Sequence, residues 1–190
     1  MGIVLAVKKK GIIAIVSDTM TVSGGSRKQT ADHVLNSNKI VQLGSAYWGV
    51  AGHPIWPLVL TSYGKKHKIP VLKSQEDVFQ ALLKLHCVLK DEYHLTPHSS
   101  DEDAIFESSG FESLIVNSYG IFKGYEFRSV QQFVKFAAIG SGSSYALGAL
   151  CALYDRLDTA EEIAIAALNS VVEFDDSSGL PSILYTVKAK

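Results

Sequence analysis

The chain has very little cysteine and no charge excess. Two cysteines, Cys87 and Cys151, in 190 residues exclude a disulfide framework. Both lie within apolar helical patterns and read as buried free thiols of a reducing compartment. A formal net charge of −1 removes the field that would draw nucleic acid or an anionic membrane, so neither is expected as a partner. No apolar run approaches the roughly 18 residues needed to span a bilayer. The first apolar run, IVLAV, is too short for a signal-peptide core, and the basic cluster KKK follows it instead of preceding it. MGIVLA has Ala6 where a myristoylation signal needs Ser or Thr. These absences point to a cytoplasmic protein.

Several chemistries lack their residues. There is no GxxxxGK[ST] phosphate loop and no GxSxG nucleophile elbow. GSGSS at 140–144 precedes a helical pattern but has no following Lys. The six histidines do not fall at metal-ligand spacing: His86 reads as structural within an amphipathic helix, and His94 and His98 sit in a polar loop. No metal or cofactor is expected.

What is present is a globular composition, 47% apolar and 19% charged, in a length that fits one domain over residues 1–190. IVLAV (3–7) and IIAIV (12–16), parted by KKKG, read as a hairpin buried on both faces. The stretch TVSGGSRKQTADHVLNSN reads as a long polar loop, which is a reason to look there for function. KIVQL and AYWGVAG form a second hairpin around Gly44 and Ser45. A helix is predicted from Pro54 to about Lys65, and another behind the capping-box-like Ser74–Asp77. After a polar, acidic loop including residues 99–107 come a third hairpin turning at Asn117–Gly120 and the strand FAAIG. A helix over SSYALGALCALYDR follows, with a small-residue stripe at Ala146, Ala149 and Ala152. A capping box at Thr159–Glu162 opens a helix to about Val172, and SILYTVKAK closes the chain as a strand. Hairpins with paired helices between them predict an α+β fold: two stacked antiparallel sheets with helices on both outer faces.

A dispersed polar set sits at strand ends: Asp18 after the second strand, Lys39 before the third, Ser141 in a Gly-Ser-Gly turn, Asp175 and Ser178 before the last strand. Singly, each has an ordinary structural reading: Asp18 as a turn cap, Lys39 as a solvated strand start, Ser141 as a helix cap, FDDSSG as turn chemistry. Together, and with a first strand that starts at residue 3, they carry a resemblance.

In order, IVLAVKKKG, SDTMT, NKI, GVAG, AIGSGSSYALGAL and DDSSG before LYTV resemble the N-terminal nucleophile hydrolases of the proteasome β-subunit kind, to which the bacterial heat-shock-locus V peptidase is related. LHCVLKDEY, YGIFKGYEF and EFDDSSGLP are most similar to the β-proteobacterial proteasome homologue. The resemblance covers nearly the whole chain. It implies a four-layer αββα sandwich and a homo-oligomer of stacked rings enclosing a chamber, in which a peptide or unfolded protein is cut; it leaves ring size, cleavage preference and an ATPase unfoldase partner unspecified. In such enzymes the hydroxyl of an N-terminal Thr attacks the peptide carbonyl, and its α-amino group takes the proton.

Carried over by position, Asp18 matches the Asp that holds the Lys, and Lys39 the Lys whose charge lowers the pKa of the nucleophile. The segment between them is a few residues longer than in archaeal β-subunits, so Lys39 is anchored on NKI and GVAG. Ser141, Asp175 and Ser178 match the network around the amine, and Gly52 the glycine whose N–H is the oxyanion donor. The departure is at the nucleophile. Aligned on KKKG, the family Thr falls on Gly2, which has no hydroxyl; Ser17 and Thr19 stand at the wrong end of the hairpin. A natural inactive member, an engineered inactive form and a misassigned or cloning-altered start are three origins for Gly2. Retention of the surrounding residues favours recent or artificial loss, because an unpaired buried Lys costs stability. The expected function is that of a proteasome-like threonine peptidase subunit silenced at residue 2; the alternative is a non-catalytic ring subunit that binds peptides or partners.

Overall fold

The computed structural model describes residues 2–23, 27–96 and 105–190. Strands β1 (Ile3–Lys9) and β2 (Ile12–Asp18) form the predicted hairpin and the centre of a four-stranded sheet ordered β10-β1-β2-β11, with β10 spanning Phe136–Gly140 and β11 Ser182–Lys188. A five-stranded sheet runs in chain order through β5 (Ile40–Leu43), β6 (Ala46–Ala51), β7 (Glu112–Asn117), β8 (Gly120–Gly124) and β9 (Val130–Phe133). All pairings in both sheets are antiparallel.

Alternation along β1 explains how the layers stack. Ile3, Leu5 and Val7 point to one face and pack with α3 (Ser143–Leu153) and α4 (Ala160–Phe174). Val4 and Ala6 point to the other and meet Ile40, Leu114, Val116 and Ile121 of the second sheet. The far face of that sheet is covered by α1 (Trp56–Lys66) and α2 (Gln75–Tyr93) through Trp48, Phe122, Leu60 and Leu85. The result is the αββα sandwich expected from the sequence. Both capping boxes are present: Ser74 with Asp77 opens α2, and Thr159 with Glu162 opens α4.

Four local expectations need correction. The polar segment 21–38 contains a two-stranded ribbon, β3 (Thr21–Ser23) with β4 (Arg27–Gln29); the residues of β4 are exposed and give no apolar signal. Strand β9 is a further edge strand, unnoticed because VQQF is half polar. Helix α1 begins at Trp56, two residues after Pro54, with Pro57 in its first turn. Cys87 and Cys151 are free thiols but exposed, because each lies on the side of its helix away from the sheet. The alanine stripe of α3 divides: Ala146 is buried, Ala149 half-buried and Ala152 exposed. His98 and residues 99–104 of the acidic loop lie outside the described residues.

Candidate active site

The polar set converges at one end of the central hairpin. Gly2 immediately precedes β1, and its carbonyl accepts the Ser141 N–H at 3.1 Å, extending the β1–β10 ladder by one rung beyond Ile3↔Gly140. This approach is close enough that a Cβ on Gly140, at φ +106°, would collide with the Gly2 carbonyl oxygen. Gly2 is thereby held between β10 and the end of β2.

Asp18, the last residue of β2, is fully buried. Its Oδ1 accepts the Ile3 N–H at 2.9 Å; its Oδ2 accepts the N–H groups of Met20 at 3.0 Å and Gly179 at 3.2 Å. The Lys39 ammonium donates to the Asp18 carboxylate, and to the Met20 carbonyl at 2.8 Å. Asp18 therefore does far more than cap a turn, and Lys39 is no solvated strand start: its side chain is only 14% exposed. Burial pushes the Lys39 ammonium below its ordinary range, and this outweighs the opposing attraction and hydrogen bond of Asp18 and the more distant charge of Asp175.

Asp175 stands at the C-terminal cap of α4. Its Oδ2 accepts the hydroxyls of Ser141 at 2.8 Å and Ser178 at 2.6 Å. Helix α3 has no side-chain cap, so the Ser141 hydroxyl is spent on Asp175 and not on the helix end. The loop FDDSSG is also a real turn, closed by Ser178 N–H to the Asp175 carbonyl at 3.0 Å. All five polar residues singled out in the sequence thus gather around the start of β1.

Gly2 sits against this group with almost no room. A Cβ built there, at φ +150°, would collide with Lys39 Nζ and stand 2.6 Å from Asp18 Oδ1. The lysine end is flexible and can withdraw; the φ would strain a β-branched residue as long as another residue precedes it. Ser17 is fully buried, and the Thr19 hydroxyl is engaged with the Pro181 carbonyl at 2.7 Å, so neither replaces the missing hydroxyl. Beside Gly2 opens a cleft of about 210 Å³, lined among others by Met20, Ser37, Lys39, Gly52 and His53. Gly52, directly after β6 with φ +138°, lines the same cleft as Gly2.

Two supports had no local sequence signal. Asn38 Oδ1 accepts the Ile40 N–H at 2.9 Å and its Nδ2 donates to the Tyr185 hydroxyl at 3.0 Å, while the Tyr185 ring stacks on Tyr47 at 4.7 Å. This clasp fixes the backbone on either side of Lys39 across the two sheets. Among the described residues, no three His, Cys, Asp or Glu side chains gather as a metal site, and no helix is long and apolar enough to cross a membrane.

No protein-family model matches the chain, and no curated protein does. Solved structures do. Thiobacillus denitrificans BPH in complex with epoxomicin is 38% identical, with a TM-score of 0.91, over 99% of this chain and 99% of that one. A second structure of T. denitrificans BPH is 39% identical, with a TM-score of 0.91, over 99% and 98% of the two chains. Eukaryotic HslV from Trypanosoma brucei shares the fold, with a TM-score of 0.66 at 16% identity over 98% of this chain and 99% of that one. With a relative this similar along its whole length, the chain belongs to the proteasome/HslV type of N-terminal nucleophile hydrolases, in the branch of the β-proteobacterial proteasome homologues.

Proposed function

We propose that this chain is a peptidase subunit of the threonine type whose catalytic surroundings are intact and whose nucleophile is missing at Gly2. The observation that carries this reading is the meeting of the buried Lys39–Asp18 pair and the Ser141–Asp175–Ser178 network at the start of β1, around a residue with no side chain. In a chain with Thr there, the hydroxyl would attack a peptide carbonyl and its proton would pass to the α-amine, with a pKa of about 8. Lys39, held by Asp18, would favour the deprotonated nucleophile through its charge. Ser141, Asp175 and Ser178 would orient the amine, and the Gly52 N–H would receive the oxyanion across the cleft. With Gly2 there is no oxygen to attack, so the unaltered chain is silent.

The same reading makes residues 1–190 one domain of a cytoplasmic, homo-oligomeric double ring. The face of α3 and the end of α4 support self-association: Tyr145 and Phe174 are 50% and 68% exposed, with rings 5.9 Å apart. A second reading, a ring subunit that binds peptides without cutting them, is favoured by the cleft beside Gly2, which stays open although the hydroxyl is absent.

The test is hydrolysis of a panel of fluorogenic peptides by the unaltered chain and by Gly2→Thr with Met1 removed. Removal matters sterically as well as chemically, because a terminal residue has no φ to strain. Cleavage by the Thr chain alone supports the peptidase reading. Cleavage by neither favours the binding subunit, and cleavage by the Gly2 chain overturns the assignment of the nucleophile.

A further inference from the structure

Outside the site, a polar cluster centred on the buried His86, Ser109 and Arg128 takes no part in the chemistry described above. It joins α2, the strap Glu107–Phe111 and the turn between β8 and β9. His86 of α2 bridges two strap residues: its Nε2 lies 3.1 Å from Glu107 Oε2 and its Nδ1 3.0 Å from Ser109 Oγ. Lys90, one turn further along α2, donates to both Glu107 oxygens at 2.7 Å. Arg128 Nη1 donates to the Glu107 carbonyl at 2.7 Å and to Ser109 Oγ at 3.1 Å. Arg128 is only 7% exposed and has φ +67°, an uncommon conformation for a non-glycine residue, which persists only where the surroundings over-determine it.

The strap leads to the oxyanion wall. Ser109 N–H donates to the Glu126 carbonyl at 2.9 Å and Gly110 N–H to Ser108 Oγ at 2.9 Å, so the strap backbone is fixed residue by residue. Gly110 then packs on the Trp56 ring, where an added Cβ would lie 3.3 Å from Cζ2. Phe111 packs on the same ring in a tilted arrangement, with centroids 4.5 Å apart. On its other edge that ring touches Gly52: an added Cβ there would meet Trp56 Cδ1 and Nε1 at 3.4 Å and the Gly110 carbonyl at 3.6 Å. Trp56 Nε1 is buried with no hydrogen-bond partner among the described residues, so packing alone sets the ring, and the strap supplies much of that packing.

We infer that Arg128 and Ser109, through the strap and the Trp56 ring, are positioning residues for the Gly52 N–H. The inference rests on the reading of Gly52 as the oxyanion donor. None of these residues touches substrate; each acts by fixing where the donor stands, and a displacement well under an ångström weakens a bond that forms only in the transition state.

Two measurements test it. The first needs no activity: amide hydrogen exchange of the unaltered chain beside Arg128→Lys, Ser109→Ala and Arg128→Ala. Exchange in peptides covering 53–56 and 108–111 rises several-fold, while peptides from the β1–β2 hairpin keep their rate. The second uses Gly2→Thr with Met1 removed as the parent. Adding Ser109→Ala or Arg128→Ala lowers kcat by roughly 10- to 100-fold with KM within about twofold, and Arg128→Lys, which keeps one donor, recovers part of the loss. Unchanged exchange at 53–56 in the milder variants, Arg128→Lys and Ser109→Ala, overturns the link from strap to Gly52, whatever Arg128→Ala does to folding. Faster exchange at 53–56 with unchanged kcat in an active parent overturns the positioning role. If the parent itself is inactive while exchange at 53–56 still responds, the linkage stands and the peptidase reading falls.

Discussion

Among the Lys–carboxylate pairs of the described residues, Lys39–Asp18 and Lys90–Glu107 are alike in chemistry and opposite in setting. Lys39 and Asp18 lie between sheet ends, 14% and 0% exposed; Lys90 and Glu107 lie on the outer helix layer, 39% and 49% exposed. In the first pair desolvation dominates, and the ammonium is pushed below its ordinary range despite the carboxylate. In the second, hydrogen bonds from Lys90 and then His86 hold the Glu107 carboxyl below its ordinary range, with burial a smaller opposing effect. A pair that water can reach adjusts to its partner at little cost. A buried pair must be imposed by the fold, here by three backbone N–H groups on Asp18, the Met20 carbonyl on Lys39 and the Asn38–Tyr185 clasp. On the proposed reading, that buried pair is what a nucleophile at residue 2 would need beside it.

The contrast can be broken from its strong side first. Lys39→Met leaves the Asp18 carboxylate buried without its cation and is expected to cost about 3 kcal/mol in urea unfolding. Asp18→Asn in the same chain removes the orphaned charge but turns an amide NH2 toward backbone N–H groups that Asp18 accepts, so it recovers only part of that loss; no recovery at all contradicts this expectation. Next in size, Ser74→Ala removes the hydroxyl that accepts the Asp77 N–H at the start of α2 and costs about 1 kcal/mol in the same assay. Lys90→Met, on the exposed side, leaves the unfolding midpoint at neutral pH nearly where it was.

The pH dependences of the pairs have separate windows. Because Glu107 titrates below its ordinary value of 4.5 in the folded chain, its contribution is complete above 4.5 and fades as pH falls through the lower folded value. Lys90→Met flattens that acid limb. Lys39 acts at the alkaline end: between its lowered folded value and 10.5 the unfolded chain holds the proton more tightly, so rising pH relieves the burial penalty and raises stability. Lys39→Met removes that rise. Urea midpoints measured across both windows check each sign.

Much of the fold was legible because its signals are local. The β1–β2 hairpin is two apolar runs around a Gly turn, and both capping boxes are four-residue patterns that the structure reproduces bond for bond. The missed pieces are those without an apolar signature: the strands Thr21–Ser23 and Arg27–Gln29, which pair with each other, and the edge strand Val130–Phe133, which takes its pairing from β8. The exposure of Cys87 and Cys151 depends on which side of a helix meets the sheet, and a helix as uniformly apolar as α3 does not declare it. For the candidate site, the residue types and strand-end positions were readable, but the geometry that discounts the ordinary readings was not. That the Ser141 hydroxyl bonds Asp175 instead of capping α3 is a contact between residues 34 apart. The strap from Glu107 to Phe111 was invisible for the same reason: His86, Ser109 and Arg128 meet only when α2 lies across the five-stranded sheet.

On the proposed reading, residue 2 alone separates this chain from a working peptidase. The direct measurement is kcat/KM on a fluorogenic peptide for the unaltered chain, for Gly2→Thr with Met1 removed, and for that variant with Lys39→Met added. Gly2→Thr is expected to gain at least about 10³-fold over the unaltered chain, and Lys39→Met to return most of the gain. Activity of the unaltered chain equal to that of Gly2→Thr, or a Gly2→Thr rate indifferent to Lys39, would contradict that reading.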